Sequence, residues 1–170
     1  PNDANKDEGY SGATFDILKG HVIASSVTPA TGVNLIIHMI GINDCLLFNM
    51  TIPAVLAAAY ARDALCMAEL VAKAPDADRL LVTPNLSNSL TVGPRITAFN
   101  AGLQAFGVTQ GWNDFVDLMT GPWALTSADI EPNLIHPTTA ASPAPPNALA
   151  GYNKLGNTIG DALGLTHAVP

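Results

Sequence analysis

The sequence predicts an α/β fold, a three-layer sandwich with a parallel sheet at its centre. Two observations carry this expectation. Helical and strand-length apolar patterns alternate along the chain, and such alternation builds a parallel sheet covered by helices. Residues 33–40, Val-Asn-Leu-Ile-Ile-His-Met-Ile, form a near-continuous apolar run, the pattern of a strand buried on both faces.

The elements follow in order. A helix is expected over about 14–27, with Phe15, Leu18, Val22 and Ile23 on its apolar face. Gly32 closes the connection to the 33–40 strand, and Gly41-Ile42-Asn43-Asp44 is a turn. The clearest helix spans 53–73, where Ala54, Ala57, Ala58, Ala61, Ala64, Leu65, Ala68, Val71 and Ala72 line one stripe and Arg62, Glu69 and Lys73 lie opposite. Pro75 and Asp76 end it. A second strand runs from Arg79 to Thr83 and stops at Pro84-Asn85. Pro94 opens a third helix carrying Ile96, Phe99, Leu103 and Phe106 on one face. A third strand lies within 112–119, a Pro/Ala-rich loop covers about 137–148, and a last helix carries Tyr152, Leu155, Ile159, Ala162 and Leu163.

The chain has 170 residues, the length of one domain, with no internal repeat and no linker. Its composition, 48% hydrophobic and 12% charged, excludes a disordered chain. A formal charge of -7 argues against nucleic-acid and anionic-membrane partners, which need a basic footprint. No apolar run approaches the roughly 20 residues that span a bilayer. Residues 1–8 are polar, without a signal-peptide pattern, and read either as a mature processed end or as the continuation of a longer chain.

In parallel sheets, sites form at the carboxyl ends of the strands. Asn43 and Asp44, Asn85, and residues 120–136 fall there. Asn43 could project into the crevice or bond its own backbone in a turn. His136, before Pro137 in a loop past the last strand, suits a general base, or is a polar loop residue. His38, inside an apolar strand, reads as a satisfied core histidine. Glu8-Gly-Tyr-Ser11-Gly12-Ala-Thr14 enters a helix with free backbone N–H groups, which suits an oxyanion hole or an N-cap turn. Ser11 does not complete a nucleophile elbow, and no strand precedes it. No metal-ligand motif occurs and no cofactor is expected.

Three blocks in this order resemble the SGNH/GDSL hydrolases, and within them the acetylxylan-esterase-like members of carbohydrate esterase family 3. Glu8-Gly-Tyr-Ser-Gly12-Ala-Thr14 is similar to the block that supplies the oxyanion-hole glycine, here Gly12. Leu35 to Asp44 resembles the strand ending in Gly-x-Asn-Asp, whose Asn, here Asn43, also binds the oxyanion. His136-Pro137 resembles the block with the catalytic base. The resemblance implies a flavodoxin-like SGNH fold, a serine esterase removing short acyl groups, acetyl above all, from a carbohydrate, and a secreted protein.

Two departures qualify it. The Gly-Asp-Ser block, which in the family ends the first strand and carries the nucleophile, is absent from all 170 residues. The expectation is a single-domain fragment lacking its first strand or strands, with that piece cleaved yet retained or missing from the recorded chain; a bare 33–40 edge would be an aggregation hazard. The family's Asp, three residues before the His, is here Asn133. Asn133, Asp129, Glu131 or a backbone carbonyl could orient His136.

A non-catalytic carbohydrate-binding remnant is the alternative; a flavodoxin-type ligand-binding protein is disfavoured by the lack of a phosphate-cradling glycine loop. A Cys45–Cys66 bridge would tie the Asn43 loop to the 53–73 helix, closing a loop worth roughly 3 kcal/mol; two buried thiols are the other reading. The sequons at Asn49 and Asn85 favour a secreted eukaryotic protein.

Overall fold

The computed structural model describes residues 12–130, Pro137 and 151–165. Three parallel strands form the sheet in the order β1-β2-β3: β1 Leu35–His38, β2 Asp78–Val82 and β3 Asp114–Val116. The register sets Ile37 beside Leu80 and Leu81 beside Phe115. Helices α1 (Phe15–Ala24), α2 (Ile42–Leu47), α3 (Pro53–Lys73) and α4 (Val92–Thr109) pack together, while α5 (Gly151–Ala162) lies against β3. This is the α/β sandwich the alternating pattern predicts.

Period-two alternation divides the side chains between two cores. Ile36 and Leu81 join Phe15, Met67, Phe99, Leu103 and Trp112 in the larger one. Leu80, Val82 and Val116 face the other way and meet Leu155, Ile159 and Leu163 of α5. The apolar faces expected for α1 and α4 are the buried ones, except that Ile23 is exposed and Phe106 half-buried.

β1 corrects the sequence reading. It is buried on one face only: Ile36 and His38 point inward, whereas Ile37 and Met39 are 45% and 43% exposed. Among the described residues β1 is an edge strand, with no neighbour on the side away from β2. The run is apolar on both faces, but among the described residues the face of Leu35 and Ile37 is only partly covered, by the cluster that α5 packs on.

The bounds of α3 agree with the periodicity, but its face does not. Ala54, Ala57, Ala58, Ala61, Leu65, Ala68 and Ala72 are exposed and Ala64 and Val71 half-buried, while Ala59, Asp63, Cys66 and Met67 are buried. Packing explains the reversal. Alanine releases little free energy on burial, whereas Met67 and Cys66 bury more apolar surface. The carboxylate among them is tolerated because Asp63 Oδ1 lies 2.7 Å from His38 Nε2, with the two side chains 1% and 2% exposed. His38 is thus the satisfied core histidine expected from its strand, and its ring packs on Trp112 with centroids 5.5 Å apart.

Cys45 and Cys66 are free thiols, so the expected bridge is not formed. They belong to different clusters: Cys45 packs with Phe15 and Phe99, and Cys66 sits under α1 with Ala13, Leu18 and Val22. Burial pushes both thiols up to about 12, so both stay protonated near neutral pH.

Gly41 starts α2 with φ 114, in the left-handed region that glycine tolerates. The expected turn at 41–44 is therefore the first turn of a short helix. A Cβ on Gly41 would lie 2.9 Å from Phe99 Cε1 and 3.3 Å from Phe15 Cζ. Gly41→Ala should therefore lower the unfolding free energy by about 2–3 kcal/mol, from overpacking and backbone strain together. Denaturant titration measures this; a loss within experimental error would mean the two rings move aside freely.

Candidate functional site

The candidate site lies just beyond the carboxyl end of β1, where two chain segments meet. The first is the entry to α1. Gly12 is exposed, with φ 77, and Thr14 is the N-cap of α1, its side chain accepting from the Ile17 N–H. The second is the start of α2, reached from β1 through Gly41.

Two hydrogen bonds join the segments, one in each direction. Asn43 Nδ2 donates to the Ala13 carbonyl at 3.0 Å. The Phe15 N–H donates to Asp44 Oδ2, also at 3.0 Å. Gly12 and Asn43, placed together by the motif reading, thus belong to adjoining segments. The Asn43 amide carries two hydrogens and uses one on Ala13, which leaves the second for another acceptor.

Asp44 falls at the carboxyl end of a strand in the sequence, where nothing assigns it a role beyond the turn. It is 1% exposed. Its Oδ1 accepts no hydrogen bond and lies 3.7 Å from Arg62 Nη2, itself a buried donor without an acceptor. Arg62 also lies over the Phe48 ring, 4.8 Å from its centroid, and 3.9 Å from Asp16. Burial pushes the Asp44 carboxyl up to about 6; the Phe15 N–H and Arg62 pull it down, and Asp63 and Asp16 add to the rise. An acid whose native value lies above its unfolded value binds protons more tightly when folded. Its contribution to stability is therefore full at low pH and lost as pH rises through the window from 3.8 to about 6. Asp44→Asn should gain on the parent by up to about 3 kcal/mol between about pH 4 and pH 7. Paired urea titrations at the two pH values measure the gain; an unchanged difference contradicts it.

Beyond β2 and β3 the loops are stitched together. Thr83 Oγ1 accepts from the Leu118 N–H at 2.9 Å, Asn100 Nδ2 donates to the Pro84 carbonyl at 3.0 Å, and Asn88 Nδ2 donates to the Ser127 carbonyl at 2.8 Å. Asn85 is buried, and its amide donates to the Leu86 carbonyl.

Asp129, the alternative acid for orienting His136, is fully buried and already engaged. Its Oδ2 accepts from the Thr126 N–H at 2.8 Å and from Thr126 Oγ1 at 2.7 Å, closing the 3-10 turn Ser127–Asp129. Its Oδ1 pairs with Lys154 Nζ of α5 at 2.7 Å. These hydrogen bonds and the ammonium hold its carboxyl below the usual range, against the opposing effect of burial. Asp129 thus anchors α5 to the loop after β3. His136, Asn133 and Glu131 lie outside the described residues; Pro137, next to His136, forms an antiparallel bridge with Ile130.

Among the described residues no group of His, Cys, Asp and Glu side chains could hold a metal ion, and no helix is long and apolar enough to cross a membrane.

No protein-family model matches the sequence, and no curated protein matches it. Among solved structures the chain is similar to an extracellular lipase from Streptomyces rimosus, with a TM-score of 0.43 and 21% identity over 87% of this chain and 77% of the lipase.

Proposed function

We propose that this chain forms the oxyanion-binding part of a serine ester hydrolase of SGNH type, which removes short acyl groups, acetyl above all, from a carbohydrate. The observation that supports it most is the Asn43–Ala13 hydrogen bond, which sets an amide donor against the glycine-bearing entry of α1. The motif resemblance, with Gly12, Asn43 and His136 in the family's order, supplies the rest.

In this reading the Gly12 N–H and the free hydrogen of Asn43 Nδ2 bind the oxyanion that develops as the ester carbonyl becomes tetrahedral. His136 takes the proton of the attacking serine and returns it to the leaving sugar hydroxyl. Asn133 occupies the place of the orienting acid. The serine comes from a segment outside these 170 residues, a strand that pairs along the open edge of β1. The protein is extracellular, with the exposed Asn49 as its candidate glycan acceptor, since Asn85 is buried.

The test is hydrolysis of a chromogenic acetate ester and of acetylated xylan by the full-length protein. Turnover of both, falling as the acyl chain lengthens, supports the proposal. Xylan binding without turnover of either favours the non-catalytic remnant, to which Asn133 also points. Preference for long acyl chains would remove the acetyl assignment.

A further inference from the structure

The geometry points to Asp44 as a positioning residue: its carboxylate holds the first turn of α1 against α2, so that the Gly12 N–H and the Asn43 amide face one oxyanion. The inference rests on the ester-hydrolase reading above and adds a residue to it.

Two opposed hydrogen bonds form a clamp. Asn43 reaches forward to the Ala13 carbonyl, and Asp44 receives the Phe15 N–H. These bonds tie residues 13 and 15, just beyond Gly12, to the pair of residues that begins α2. Neither segment can slide along the other without breaking one of them. The hydrophobic contacts beneath fix the same relation: the Phe15 ring is fully buried and lies 5.8 Å from that of Phe99, and both line the space beside Gly41.

A carboxylate is a costly choice for this task. Its Oδ1 has no hydrogen-bond donor, and the nearest cation, Arg62 of α3, stays at 3.7 Å. Asp63 of the same helix faces it but is engaged by His38, and Asp16 of α1 adds a second repelling charge. Burying a group that is half satisfied disfavours the fold. The contact that Asp44 does make is with the peptide group next after the one Asn43 holds, at the point where a displacement would separate the two oxyanion donors. Donors of this kind act only when held at hydrogen-bond distance from the developing charge, and small misplacements are expensive in rate.

If the acceptor atom is what matters, shape should count and charge should not. Asp44→Asn keeps an oxygen where Oδ2 stands; Asp44→Glu keeps the charge but shifts the acceptor by a methylene. In the full-length protein, Asp44→Asn should keep kcat for the acetate ester within about threefold of the parent, while Asp44→Glu lowers it about thirtyfold or more with KM little changed. Amide hydrogen exchange should follow the same division: Phe15 stays protected in Asp44→Asn and opens in Asp44→Glu. If Asp44→Glu does not fold, Asp44→Ser, too short to reach Phe15, takes its place with the same expected losses. Equal losses in Asp44→Asn and Asp44→Glu, or a better enzyme with Glu than with Asn, overturn the proposal. The two readouts also separate it from its premise. An inactive parent with the expected exchange pattern ends the esterase reading and leaves the clamp; an active parent without that pattern ends the clamp alone.

Discussion

His38→Leu should destabilise the protein by about 3–5 kcal/mol, the cost of leaving a buried carboxylate without its partner. The partner is Asp63, whose Oδ1 lies 2.7 Å from His38 Nε2 where neither side chain meets solvent. Leucine fills the place of the imidazole but offers no hydrogen, so the Asp63 carboxylate is left buried without its partner or pulls the middle of α3 outward. The double variant His38→Leu/Asp63→Leu replaces both members with apolar groups and should recover most of the loss, because two matched apolar groups leave nothing unsatisfied. Urea unfolding of the parent, both single variants and the double variant gives the coupling. If the double variant is as unstable as the sum of the singles, the pair contributes nothing as a pair, and packing against Trp112 is what His38 supplies.

Asn43→Ala should lower kcat for an acetate ester by about 10²–10³-fold in the full-length protein, the usual effect of removing one oxyanion donor. The same change deletes the bond to the Ala13 carbonyl, a partly buried contact worth about 1 kcal/mol of stability. The two effects are separable. Loss of the oxyanion donor appears in kcat with KM nearly constant. A purely structural role would lower the unfolding midpoint and leave kcat per folded molecule unchanged. That second pattern would reduce Asn43 to a link between α1 and α2.

The layered architecture was legible because alternating apolar periods report it directly. Strand 33–40 and helix 53–73 are long enough for their patterns to outweigh local noise, and His38 revealed itself by standing alone in an apolar strand. The buried face of α3 was not legible. Seven of the eight alanines in the helix mark a stripe that weighs heavily in a count of apolar residues and little in free energy, while Asp63 disguises the face that is buried. Its acceptance there depends on a histidine 25 positions earlier, and no local pattern carries that pairing. The disulfide expectation failed because Cys66 faces α1 in one cluster while Cys45 packs with Phe15 and Phe99 in another. The motifs name Gly12 and Asn43 as candidates, and Asp44 stands in the same Gly-x-Asn-Asp block, but no role for it is legible there. Asn-Asp after glycine reads as an ordinary turn, and only the position of the Phe15 N–H reveals what the carboxylate does.

The most direct measurement is the reaction of the full-length protein with a fluorophosphonate, followed by mass spectrometry of the modified peptide. Such a reagent forms a covalent adduct with a serine activated by a base and an oxyanion hole. The account predicts one adduct, on a serine outside these 170 residues, with labelling slowed in both Asn43→Ala and His136→Ala. An adduct on Ser11, or no adduct in a folded full-length protein, would contradict it.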